Sequence, residues 1–545
     1  VTKKPAIIVL SALAACAVIF GADWPTQSGS PQREGWARSE KVFTKDNVKD
    51  LDLLYRYQTD NKSLSLFSLT SPLIDGLLIT YRGFKEMLVF GGSEDNVYSV
   101  DADLNKLIWK AHFNYMGKKK KLHASVTCPG GATASVAMDG SSSAGVSFGR
   151  HPAPAAGARP NPIGGRGFGS LGAFFAVSSD GYLHTLNAST GGDLIPSVKF
   201  LPANSHVSAL NVLNDVIYAT TSGRCGGAAN AVYAIDMAST DKKVVTYQIA
   251  GGSVAGSSGT ALGSDGTVYV QVLAELGETN STSHRTVLAL DPATLAVKDF
   301  FVGADRTAVK GRVGESGPTP TVFSWKGKDM VVAAGSDGRI DLLDSASLGG
   351  ADHHKPVFET EPVASDDQHY DGDGFRAGFS TWTDSATDAR WIYASLWGPP
   401  RSSAKFPAQN GDVSTGSIVA FKLEDKNGQP VLTPAWISAN IPSPAAPVTA
   451  SGMVFALSTG EPLRQSSPKG KVFDVAEIKK ESTHAALYVL DGESGKQLYA
   501  SGNALTSPSY SSGLAVANGR IYFATSDNSM NAFGFKAMQP QLTDK

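Results

Sequence analysis

The run Asp366-Asp367-Gln368-His369-Tyr370-Asp371-Gly372-Asp373-Gly374 has the residue types to hold a hard cation. Carboxylates on a Gly-rich turn can wrap calcium through oxygen. Asp367, Asp371 and Asp373 are the candidate ligands. The run lacks the Glu that closes an EF-hand loop, and a solvated acidic loop has the same composition. Asp352-His353-His354 offers nitrogen and oxygen to a transition metal, but adjacent His side chains in a loop diverge and would need distant partners. The three cysteines are Cys16, Cys128 and Cys225, and none lies in a Cys-x-x-Cys motif. That spacing excludes zinc ribbons, thioredoxin-type redox motifs and covalent haem. Cys128 and Cys225 are each followed by small residues. In an oxidising compartment they form one disulfide or remain two buried thiols, since sequence does not fix their distance in space. No His-Glu-x-x-His occurs. Gly164 to Gly169 is Gly-rich but does not follow a strand and open a helix, so it fails as a phosphate cradle.

The elements that must carry these residues are short strands. Charged residues are only 18% of the 545, and Gly numbers 57. Low charge with abundant Gly describes tight turns between strands, not Glu/Lys-rich helices. A net charge of −2 gives no bulk attraction for nucleic acid. Lys3 and Lys4 precede an apolar run from Ala6 to Ala22. Residues 1–22 read as an export segment with three open forms: a cleaved signal peptide, a lipoprotein signal with lipidation at Cys16, or an uncleaved anchor. Each places the rest of the chain in the periplasm, on the outer membrane or outside the cell. Membrane contact is then expected only through this segment.

One pattern recurs: apolar-Tyr-x-apolar-Asp, a turn, then a second strand. It occurs at Val97 to Asp101, Tyr182 to Asn187, Val232 to Asp236, Val287 to Asp291, Ile340 to Asp344, Ile418 to Phe421 and Leu487 to Asp491. Successive spacings of 49, 55 and 53 residues separate Asn187, Asp236, Asp291 and Asp344. That is one four-stranded propeller blade plus its loops. The chain ends in a strand without a partner near Ser529 to Phe535, and Leu51 to Gln58 is an orphan strand near the start. Pairing the two closes the ring without a free edge. The expected fold is therefore all-β: an eight-bladed propeller of four-stranded antiparallel blades, with seven blades as the fallback. Residues 23–50 form a lead-in, 51–536 the propeller and 537–545 a tail. Residues 129–170, rich in Gly, Ala, Ser and Pro, are expected as a flexible insertion, and Lys118 to Lys121 as a solvated basic run.

Tyr488-Val489-Leu490-Asp491-Gly492-Glu493-Ser494-Gly495-Lys496-Gln497-Leu498-Tyr499 resembles the pyrroloquinoline quinone (PQQ) repeat, and Val97 to Trp109 is a second copy. Lys45 to Leu51 is similar to the lead-in of quinoprotein alcohol dehydrogenases. The resemblance implies last-strand aromatics such as Trp109 and Trp436 packed between blades. For an enzyme it further implies PQQ with calcium or a lanthanide, a vicinal disulfide over the quinone and a Trp beneath it. No vicinal cysteines exist here. Cys128 and Trp382 are the ring-axis residues that could stand in. The same repeat also occurs in non-enzymatic relatives such as the barrel-assembly lipoprotein.

Two functions from different classes follow. One is an exported binding or scaffold platform at the cell envelope, monomeric, recognising an envelope or extracellular protein or a small molecule, with no certain cofactor. The other is a PQQ-dependent dehydrogenase of an alcohol, polyol or sugar with a diverged site.

Overall fold

The computed structural model describes residues 22–80, 83–115, 124–139, 172–274, 285–303, 317–335, 338–365, 374–467, 471, 473–510 and 513–536. Eight small antiparallel sheets follow one another along the chain and form an eight-bladed propeller. Blade one spans residues 73–112, blade three 206–248, blade four 252–302, blade five 321–359, blade six 374–437 and blade seven 448–500. Blade two has three strands within residues 173–199, and Ala137 extends its inner edge by bridging to Phe175. Within residues 129–139, the described start of the expected insertion, Ala137 joins that inner edge. The rest of that stretch lies outside the described residues, as do Cys16 and Lys118 to Lys121.

Blade eight closes the ring. Its strands from residues 515–534 are completed by Asp52–Gln58, which pairs antiparallel with Ser529–Gly534. The expected closure is therefore observed, and it removes the one edge that a linear array would leave open.

The repeated Asp has a local cause. Its carboxylate accepts backbone N–H groups two and three residues on, and so shapes the turn after each third strand. Asp101 does this for Asp103 and Leu104, Asp291 for Ala293 and Thr294, and Asp491 for Glu493 and Ser494. Asn187 does the same with its amide oxygen. These turns also receive the aromatic of the preceding blade. Trp109 donates its indole N–H to Ala188 O at 2.7 Å, and Trp436 donates to Gly492 O at 3.0 Å. Both rings press on a Gly with φ of +72°, Gly191 or Gly495, where a Cβ would come within 2.4 Å of the indole. Only Gly combines that backbone angle with that approach.

The lead-in is a strap that visits all eight blades. Trp24 exchanges two backbone hydrogen bonds with Ile74 of blade one, and Pro25 O accepts from Met138 of blade two. Thr26 Oγ1 donates to Leu210 O of blade three at 2.7 Å. Pro31 O accepts from Leu262 of blade four, Gln32 O from Val322 of blade five and Glu34 O from Thr381 of blade six. Gly35 O accepts from Thr449 of blade seven, and a Glu40 carboxylate oxygen accepts from Gly519 N of blade eight. Ala22 returns to Asn518 at 2.7 Å. The strap thus satisfies inner-strand groups that neighbouring blades cannot reach.

Arg33 lies at the centre of this strap and is 1% exposed. Its guanidinium donates to Thr260 O, Thr26 Oγ1, Gln27 O and Leu210 O. Burial pulls it down to about 9, so it stays charged at neutral pH. At the seam of blades one and eight, Glu86 and Asp103 face Arg520, at 3.3 and 2.7 Å. Burial pushes the Glu86 carboxyl up to about 7, aided by Asp103 and opposed by Arg520.

Replacing Arg33 with Met should cost about 3 kcal/mol, because four buried acceptors each lose one hydrogen bond; chemical denaturation measures it. The Glu86 group gives a pH signature. Its folded value lies above its unfolded value, so the folded state binds the extra proton between about 4.5 and 7. Stability from this group is present at low pH and is lost as pH rises through that window. Relative to Glu86→Gln, the wild type should gain up to about 3 kcal/mol between pH 8 and pH 5, read from paired denaturation curves.

Candidate functional site

Each innermost strand has two ends with different tasks. One end binds the strap. The other borders a cavity of about 300 Å³ on the ring axis. All eight blades contribute to its wall: Thr70 and Ser71, Thr133 and Ser135, Ser208 and Thr220, Ser257 and Ser258, Thr319, Arg376 and Trp397, Thr459 and Glu461, and Tyr510, in blade order. The strap adds Gln27, so the cavity ends on the strap.

Ser and Thr hydroxyls share the wall with apolar side chains, among them Leu66, Phe67, Val207 and Val254. Ser208 and Thr220 share a hydrogen bond of 2.6 Å. Thr133 Oγ1 donates to Val207 O and accepts from Val207 N, both at 2.8 Å. Gln27 donates to Ser257 at 2.8 Å and accepts from Ser135 at 3.3 Å. Thr319 is 2% exposed, and its Oγ1 has no hydrogen-bond partner among the described residues. Charge is sparse. The Arg376 guanidinium lies over the Trp397 ring at 3.9 Å, a cation–π stack whose indole N–H donates to Pro444 O at 2.9 Å. Glu461 accepts from Gln465 at 3.2 Å. Burial holds the His206 imidazole below its ordinary value, against a hydrogen bond to the Thr127 backbone that acts the other way.

Cys128 and Cys225 are joined in a disulfide with Cα atoms 5.5 Å apart. The bond ties the entry to blade two onto the turn after the second full strand of blade three. Val126, Thr127 and Pro129, which flank Cys128, are cavity wall. The bond is therefore a tether behind the wall, with its partners 97 residues apart, and not a vicinal cap.

Trp382 is elsewhere. It sits on Ser380–Thr383, next to Thr381, whose N–H binds the strap, and it packs near Gly452 at the blade six–seven interface. The adjacent strand Arg390–Trp397 runs back towards the cavity and delivers Trp397 instead. Trp397, and not Trp382, lines the cavity. Strand direction was the missing signal. Asp367, Asp371 and Asp373 lie outside the described residues. His353 stacks on Phe300 and its Nδ1 faces Phe300 O, while His354 Nδ1 faces Val302 O, so both rings serve a blade edge. Among the described residues no three His, Cys, Asp or Glu side chains converge as metal ligands.

No family model and no curated protein matches the chain. Solved structures do. The chain is similar to the quinohemoprotein alcohol dehydrogenase ADHIIG from Pseudomonas putida HK5, at 12% identity over 96% of this chain and 81% of that one, TM-score 0.51. It is similar to a europium-containing methanol dehydrogenase at 12% identity over 94% and 98%, TM-score 0.54. The quinohemoprotein alcohol dehydrogenase from Comamonas testosteroni gives 14% identity over 96% and 82%, TM-score 0.50. At these identities the likeness shows a shared propeller fold and nothing of activity.

The Cys128→Ser/Cys225→Ser double variant should lose up to roughly 5 kcal/mol, the chain-entropy value for so long a loop. Thermal melts with and without reductant check it: the wild type should fall to the level of the variant on reduction, and the variant should not respond.

Proposed function

We propose that this chain is an exported binding propeller that receives a small molecule in its axial cavity at the cell envelope. The observation that carries the reading is the cavity itself: a recess on the axis lined by hydroxyls and apolar side chains, walled by all eight blades and ended by the strap. Export rests on Lys3, Lys4 and the apolar run to Ala22. No helix among the described residues is long and apolar enough to cross a membrane. Small-molecule recognition is favoured over a broad protein-docking face by the surface. Its exposed large hydrophobics among the described residues are Val42, Leu107, Tyr182 and Val297, on four separate elements. A contiguous apolar patch would mark a docking face.

The dehydrogenase alternative draws support from the shared propeller fold. The donor set argues against it. A quinone with a hard cation needs several carboxylate or amide oxygens on one ion. The described cavity wall offers one carboxylate, Glu461, already held by Gln465. The disulfide lies behind the wall and offers no cap for a planar ring. PQQ and its cation therefore do not fit the described residues.

Titration of the folded protein with PQQ plus calcium or a lanthanide should give no stoichiometric quinone absorbance and no dye reduction with alcohols. Stoichiometric binding with alcohol-dependent dye reduction would replace the binding reading with the enzymatic one.

A further inference from the structure

We infer that the axial cavity is a site for a small, uncharged, polyhydroxylated ligand of about monosaccharide size. The inference rests on the binding reading above and names its ligand class. Size comes first. About 300 Å³ is the lower end of the usual range for ligand sites, roughly 300–1,000 Å³. It admits one small ring and excludes an extended chain.

The wall then selects the chemistry. A Ser or Thr hydroxyl has one donor and two acceptor sites. The wall hydroxyls use only part of this capacity on one another, as Ser208 and Thr220 do. Thr319 uses none: its Oγ1 is buried and unpartnered among the described residues. Such a group costs free energy unless a water or ligand meets it. A wall that both donates and accepts at many points matches ligand groups that do both, which are hydroxyls. A carboxylate or phosphate only accepts, and it would leave the wall's acceptor sites unmatched.

Charge points the same way. The described wall carries one guanidinium, Arg376, and one carboxylate, Glu461, and burial disfavours charge on the His206 imidazole. Among the described residues those two formal charges cancel. The Arg376–Trp397 stack adds a flat, rigid surface on which the C–H face of a sugar ring can lie. The disulfide behind Thr127 and the strap beneath Gln27 hold the wall in place before any ligand arrives. That arrangement lowers the ordering cost of binding.

Isothermal titration and saturation-transfer NMR on the full chain test this, with glucose, galactose and myo-inositol as neutral probes and glucuronate and glucosamine as charged analogues. At least one neutral probe should bind one to one, with an affinity little changed between low and high salt. Thr319→Val, which keeps the shape and removes the hydroxyl, should weaken that binding about tenfold. Ala446→Trp, which adds bulk to the wall, should abolish it; matched melting curves show that both variants are folded. Silence of every neutral probe overturns the inference. So does binding confined to a charged analogue, or binding unaffected by both variants. The parent reading fails by a different result, the PQQ titration with dye reduction, so the two failures are separable.

Discussion

The backbone of eight inner strands must find hydrogen-bond partners at an axis where no ninth sheet exists, and everything else in this molecule depends on how that is met. Residues 22–40 meet it at one end. They pass from blade one to blade eight in sequence order and give each a bond. An unpaired buried N–H or C=O costs about as much as a lost hydrogen bond. Eight such debts at one point would weaken the ring where all blades converge. Arg33 is the densest part of the solution, since one side chain serves acceptors from the strap itself and from blades three and four. With one end of the axis filled, the other end is left as a recess.

Buried ionic groups fix how the strap and the blades sit on one another. Glu34 of the strap meets Arg390 of blade six at 3.0 Å and also Arg38. Glu86 and Asp103 of blade one meet Arg520 of blade eight. Arg285 of blade four pairs with Asp341 of blade five. Desolvation makes such pairs poor sources of net stability. Removing one partner is far costlier than never having had the pair, and this asymmetry holds neighbouring blades in a single register.

Much of this was legible in the sequence, and the reasons are local. The turn Asp recurs because each hairpin needs a side-chain acceptor at the same position. Trp109 and Trp436 recur because each blade must cover the next, so their packing was readable from the repeat. The strand near Leu51 was readable because its alternation lacked a local partner. The strap was not readable: it works through backbone carbonyls, and Pro31, Gln32 and Gly35 share no side-chain pattern. The cavity was hidden for a similar reason. It takes one or two ordinary Ser or Thr residues from each of six blades, and singly none of them is a motif. Trp397 had no signal of its own, because sequence shows that a strand pair exists but not which end meets the axis.

The strap also sets the order in which the molecule can be assembled. Ala22 bonds to Asn518, 496 residues away, and Asp52 faces Gly534 in the last strand. The first residues of the folded domain therefore cannot reach their final places until nearly the whole chain has been made. Contacts this distant in sequence fold slowly, since the loop entropy is lost before the bonds form. A half-finished ring holds open strand edges in the meantime, and those edges invite pairing with other chains. Completion therefore waits for the last blade: the bonds of Ala22 and Glu40 and the closing strand all need residues 518–534.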